Sequence, residues 1–187
     1  MKKAALMILA LVLCMNMSGC LGAVQADDYI YVVGIGFDKG SQYRFNVTFL
    51  VQKDVSGSEQ TSTGGAEIIS AEGDTLFDAI TVLSAGVPFR INFSRVNTFF
   101  FGEEVARSGS IKELSNITFN ALKIRQSAKL MVCLGTAQRL MQGLCLEDVP
   151  NITKLQFSVF QDYAAEGITV ITNYAGMLES IRGRRSD

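Results

Sequence analysis

The sequence predicts an α+β fold, a mixed or antiparallel sheet with packed helices. Three observations carry this. Residues 29–37 form a continuous apolar run rich in β-formers, followed by the turn residues Asp38-Lys39-Gly40-Ser41. The chain then alternates strictly, with Tyr43, Phe45, Val47, Phe49 and Val51 on one face and Arg44, Asn46 and Thr48 on the other. That pattern gives a hairpin whose second strand is half buried. Beyond residue 66, strand-like and helix-like segments interleave, which brings helices onto the sheet.

The later elements follow from local signals. Residues 52–65 contain Ser56-Gly57-Ser58 and Thr61-Ser62-Thr63-Gly64-Gly65, a loop by composition, before a short strand at 66–71. Asp74 is placed to cap a helix carrying Leu76, Phe77, Ile80 and Leu83 on one face, ended by Gly86-Val87-Pro88. A strand at 96–101 closes at Gly102. Ser110 and Glu113 have the spacing of a capping box, opening a helix with Ile111, Leu114, Ile117, Thr118, Ala121 and Leu122 at core spacing. A strand at 128–134, a helix at 136–142 and a weaker tail with two helix-like segments complete the chain.

Composition excludes much chemistry. The 187 residues include no histidine and no tryptophan, so Ser-His-Asp and Cys-His catalysis and any His-ligated zinc site are ruled out. A formal charge of −1 without a basic stripe argues against nucleic-acid binding. Gly34-Ile35-Gly36 lacks the third glycine of a dinucleotide fingerprint, since Lys39 stands there, and reads as a bulge or a close backbone approach. Glu103-Glu104 reads as an acidic first helical turn, because adjacent helical residues do not face each other. Phe99-Phe100-Phe101 reads as a strand with at least one face in the core, against the alternative of an exposed membrane or partner patch. Arg90 and Arg95 flank Ile91-Asn92-Phe93-Ser94 and are the candidates to hold a carboxylate ligand, against the alternative of solvated or surface-paired arginines. No set of side chains specifies a reaction, so the expectation is a non-enzyme without cofactor or metal.

The N-terminus reads as a removable leader over residues 1–19, against the alternative of an uncleaved N-terminal anchor. Lys2 and Lys3 precede an apolar run at 4–14, about half of the ~20 residues that a spanning helix needs. Met17-Ser18-Gly19-Cys20 looks like the lipobox of bacterial lipoproteins, in which the cysteine is acylated and becomes the mature N-terminus. Two acyl chains on Cys20 anchor stably, at about 0.8 kcal/mol per buried methylene. Asp27 and Asp28 lie in a short polar tether, and the mature chain is expected on the outer face of a bacterial membrane. Losing Lys2 and Lys3 leaves 15 basic against 18 acidic side chains, a charge of −3, so the lipid supplies the anchoring. Of the remaining cysteines, Cys133 and Cys145 are twelve apart, a spacing that suits neither zinc nor a redox motif. A disulfide and two buried thiols both stay open for them.

One set of blocks reads beyond generic physics. Gly73-Asp74-Thr75-Leu76-Phe77-Asp78-Ala79-Ile80, then Pro88-Phe89-Arg90-Ile91-Asn92-Phe93-Ser94, then Phe101-Gly102-Glu103-Glu104-Val105-Ala106-Arg107-Ser108-Gly109 stand in order. In order and spacing they resemble the Ger(x)C family, the lipoprotein C subunits of spore germinant receptors. Val33-Gly34-Ile35-Gly36-Phe37-Asp38-Lys39 resembles that family's first strand and turn. Leu21-Gly22 stand where family members usually carry Trp-Asp.

The resemblance runs from residue 20 to about 182, the N-terminal domain of a multi-domain family, so residues 20–187 are expected to form that domain without its C-terminal companion. It implies a lipid-anchored, non-enzymatic subunit of a nutrient germinant receptor, partnered with integral membrane A and B subunits in the inner spore membrane. The competing reading is a small-molecule-binding envelope lipoprotein associated with a transporter.

Overall fold

The computed structural model describes residues 29–52, 66–122, 124–146 and 172–183, together with Lys3. The leader, Cys20 and most of the tail lie outside the described residues. Among the described residues seven strands and five helices follow in the order β1 (Tyr29–Lys39), β2 (Phe45–Gln52), β3 (Ala66–Gly73), α1 (Leu76–Gly86), β4 (Arg90–Asn92), β5 (Thr98–Gly102), α2 (Glu103–Arg107), α3 (Ile111–Ala121), β6 (Lys129–Cys133), α4 (Ala137–Leu146), β7 (Thr172–Asn173) and α5 (Tyr174–Gly183).

They form one mixed sheet in the order β3-β2-β1-β5-β6-β7, so the fold is α+β as expected. The hairpin is real: β1 and β2 are antiparallel, with Phe37 opposite Val47. β3 continues antiparallel on β2. On its other edge β1 pairs in parallel with β4 at Tyr29–Tyr31 and with β5 at Gly34–Phe37, and β5 pairs in parallel with β6.

Both sides of this sheet are covered. The larger core holds Ile35, Phe37, Phe49, Phe99 and Phe101 against Leu76, Ala79 and Leu83 of α1, Val105 of α2 and Leu114 and Phe119 of α3. On the opposite side Val33, Leu50, Phe100 and Met131 meet Ala137 and Met141 of α4. This explains the unbroken apolar runs, because central strands covered on two faces need no alternation. It also corrects the half-buried reading of β2. Thr48, on the face expected to be wet, is fully buried, as is Leu50 on the same face. Phe99, Phe100 and Phe101 are core on both faces.

Two local expectations change. The helix α1 is capped by Thr75, not Asp74. Thr75 Oγ1 accepts from Asp78 N at 3.2 Å, and Asp78 accepts from Thr75 N at 2.9 Å. Asp74 instead accepts from Arg44 N at 3.1 Å, and Phe77 is 44% exposed while Ala79 takes the core position. Ser110 forms no capping bond, since its backbone is already helical and Glu113 is drawn to Arg44 by two bonds of 3.2 and 2.9 Å. In α3 the buried phenylalanine is Phe119, outside the expected stripe, and Ala121 is exposed.

Candidate functional site

The parallel strands give the sheet two distinct ends. At the end where β1, β5 and β6 finish, the residues of the sequence blocks converge. A register shift between Val32 and Gly34 turns Gly34, Gly36 and Asp38 toward α4. A Cβ on Gly36 would stand 2.7 Å from Met141 Sδ and 3.1 Å from Ala137 Cβ, so the glycine permits the close approach of α4. One step further along the strand, the buried Asp38 carboxylate accepts from Ala137 N at 2.7 Å and Gln138 N at 2.8 Å. Thr136 Oγ1 accepts from Arg139 N at 3.3 Å, so three of the orphan N–H groups at this helix start have acceptors. Gly36 is therefore the glycine that lets α4 dock, while Gly34 makes room for Phe100 and Leu50, and the aspartate read as a turn residue is a long-range helix cap. Burial pushes the Asp38 carboxyl up from its ordinary range, against the downward pull of the two backbone N–H groups.

Gly102 abuts this carboxylate, and a Cβ there would collide with it. Glu103 N donates to Gly135 O at 2.9 Å, which ties the start of α2 to the loop after β6. The acidic pair lies in the first turn of α2, as the sequence predicted. Glu103 pairs with Arg107 at 2.8 Å and Glu104 with Lys39 at 3.2 Å. A shallow cleft of about 230 Å³ lies among these groups, but its charges already have partners. Nearby, Glu72 locks the β1–β2 turn. It accepts from Ser41 N and Oγ, Gln42 N and Tyr43 N at 2.7 to 3.3 Å, and these bonds, those from Ser41 foremost, hold its carboxyl down at about 2.

At the opposite end, where the parallel strands start, the surface is basic. Arg90 opens β4 and is exposed. Arg95 is exposed in the turn before β5, with its guanidinium 3.8 Å above the Tyr31 ring. The cleft beside it, about 300 Å³, is lined by Ser94, Arg95, Asn97, Arg125 and Ser127. Of the two predicted arginines, then, Arg95 lines a cleft and Arg90 does not. Arg125 was missed because nothing local marks it; only the parallel pairing of β5 with β6 carries it to Arg95.

Cys133 and Cys145 are both free thiols on the α4 side of the sheet. Burial, helped by the nearby Asp38 charge, pushes Cys133 up to about 12. Among the described residues no cluster of metal-ligating groups occurs, and no helix is long and apolar enough to cross a membrane.

The family described as "Spore germination protein N-terminal domain" matches the chain over residues 22–178. A curated Bacillus subtilis (strain 168) protein, described as "Putative spore germination protein YfkR", is 28% identical over 152 residues. That alignment covers 76% of this chain but 39% of the relative, so the chain spans about two fifths of that protein's length. No solved structure matches.

Proposed function

The chain belongs to the spore germination protein N-terminal domain family, and from that premise we propose that it is the lipid-anchored C-type subunit of a nutrient germinant receptor. The observation that supports this reading is the family match over residues 22–178, on a chain whose Met17-Ser18-Gly19-Cys20 segment has lipobox character. On this reading Cys20 carries the acyl chains and the folded unit stands on the outer face of the inner spore membrane, beside integral membrane A and B subunits. Its contribution is surface and placement rather than a reaction.

The test is nutrient-triggered germination in a strain whose paralogous receptor genes have been removed. Deleting the gene, or introducing Cys20→Ala, is expected to slow the loss of refractility after nutrient addition, with rescue by the unaltered gene. Normal germination after deletion overturns the receptor role. Normal germination with Cys20→Ala alone overturns the need for the anchor.

A further inference from the structure

We propose that the basic end of the sheet is a docking surface for an anionic bilayer, contacting phosphate headgroups through Arg95 and Arg125, with Arg90 beside them. The direction of docking rests on anchoring at Cys20; the surface itself does not.

The charges are sorted by end. Arg90, Arg95, Arg125 and Lys129 stand where the parallel strands start, with Glu67 across the sheet on β3. The finishing end carries Asp38, Glu72, Asp74, Asp78, Glu103, Glu104 and Glu113 against Lys39, Arg44, Arg107, Lys112 and Arg139, and there Lys39, Arg44 and Arg107 are each paired with an acid. A net charge close to neutral thus conceals a cationic face. The chain enters the fold at that face. Tyr29 follows Cys20 by nine residues, a tether of at most about 30 Å that includes Asp27 and Asp28, so a lipid on Cys20 keeps this end near the bilayer.

The side chains also suit an interface. Phe89 is 47% exposed next to Arg90, and Tyr29 and Tyr31 are half-buried with their rings 6.4 Å apart. Tyrosines with an apolar body and a polar tip favour headgroup depth. A guanidinium presents a planar fork of donors that matches a phosphate, and Ser94 and Ser127 add hydroxyls to the same cleft.

The experiment uses the full chain carrying Cys20→Ser, partitioned between buffer and vesicles of either phosphatidylcholine alone or phosphatidylcholine with phosphatidylglycerol. The chain is expected to prefer the anionic vesicles and to lose that preference as KCl is raised toward 0.5 M. Arg95→Gln with Arg125→Gln is expected to weaken anionic partitioning about thirtyfold, roughly fivefold per arginine near an anionic surface. Lys39→Gln with Arg107→Gln, at the other end, removes the same charge and is expected to change it little. Circular dichroism confirms that both pairs fold.

Equal losses in the two pairs, or no preference for anionic vesicles, overturn the proposal. So does an Arg95/Arg125 pair that partitions normally yet fails to co-purify with membrane partners, which assigns the arginines to a protein. The anchor is read separately: the unaltered lipidated chain should stay on phosphatidylcholine vesicles that release the Cys20→Ser form. If it does not, the anchor fails while the anionic preference still stands or falls on its own data.

Discussion

Removing the Asp38 carboxylate should loosen α4 by a calculable amount. Asp38→Ala deletes two charge-assisted bonds, to Ala137 N at 2.7 Å and Gln138 N at 2.8 Å. The first N–H is buried and is left without an acceptor, at about 2 kcal/mol; the second is half-buried and reaches water, at about 1 kcal/mol. Relief of the buried carboxylate's own desolvation offsets part of this, leaving a net loss of about 2 kcal/mol. For a chain of this length that corresponds to roughly 4–8 °C in Tm. Asp38→Asn keeps one acceptor oxygen and should fall about midway.

A double-mutant cycle gives the stricter test. Gly102 has φ −62° and ψ 154°, a conformation open to alanine, so Gly102→Ala should be harmful chiefly through its collision with Asp38. We expect it to cost about 1–3 kcal/mol in the unaltered chain and well under 1 in the Asp38→Ala background. Urea unfolding monitored by circular dichroism measures all four proteins. Additive costs, with a coupling below about 0.5 kcal/mol, or an Asp38→Ala chain as stable as its parent, would refute the cap.

Three further outcomes follow from the same packing. Gly36→Ala should destabilise by about 1–3 kcal/mol through contact with Ala137 and Met141, and Met141→Ala should relieve part of that cost; urea midpoints of the two singles and the double decide it. Glu72 and Asp38 should bend the stability–pH curve in opposite senses. The Glu72 carboxyl is depressed to about 2, so its stabilisation is complete above pH 4.5 and is lost as pH falls toward 2, an acid limb that Glu72→Gln should lack. The Asp38 carboxyl is raised above 3.8, so the native state holds its proton longer and stability falls as pH rises just above that value, a slope that Asp38→Asn should flatten. Cys133, pushed up to about 12 and buried, should react with a thiol reagent at pH 8 only as fast as the protein opens, whereas half-buried Cys145 should react sooner; peptide mass mapping against time separates them.

What was legible in the sequence was what depends on neighbours along the chain. The hairpin followed from alternation and turn residues, and the acidic start of α2 from dipole preference. Local signals misled where a distant partner competed for the same group. Ser110 and Glu113 have capping-box spacing, but a bidentate arginine 69 residues away takes the glutamate. Asp38 sits among turn residues, yet its partners are 99 and 100 residues on. Alternation predicted one wet face on β2 because no periodicity in β2 itself announces that α4 will cover it. The arginine cleft is half legible for the same reason: Arg95 stands out in its sequence block, and Arg125 reaches it only through β5–β6 pairing.

The division between the two ends makes the surface proposal experimentally tractable. Cohesion is concentrated where the strands finish, in the Asp38 cap, the Glu72 turn lock and the Lys39, Arg44 and Arg107 pairs. Arg90, Arg95 and Arg125 are exposed at the other end, where Arg95 stacks on the Tyr31 ring, a contact worth about 0.5–1 kcal/mol at an exposed site. Losses of membrane binding from Arg95→Gln with Arg125→Gln at an unchanged unfolding midpoint report on the surface, not on folding. Losses from Asp38 or Gly102 variants report on folding first, and any germination defect they cause should track their unfolding midpoints. An arginine variant with a native midpoint and a germination defect, beside a cap variant whose defect follows its stability, would separate contact from scaffold within this one small sheet.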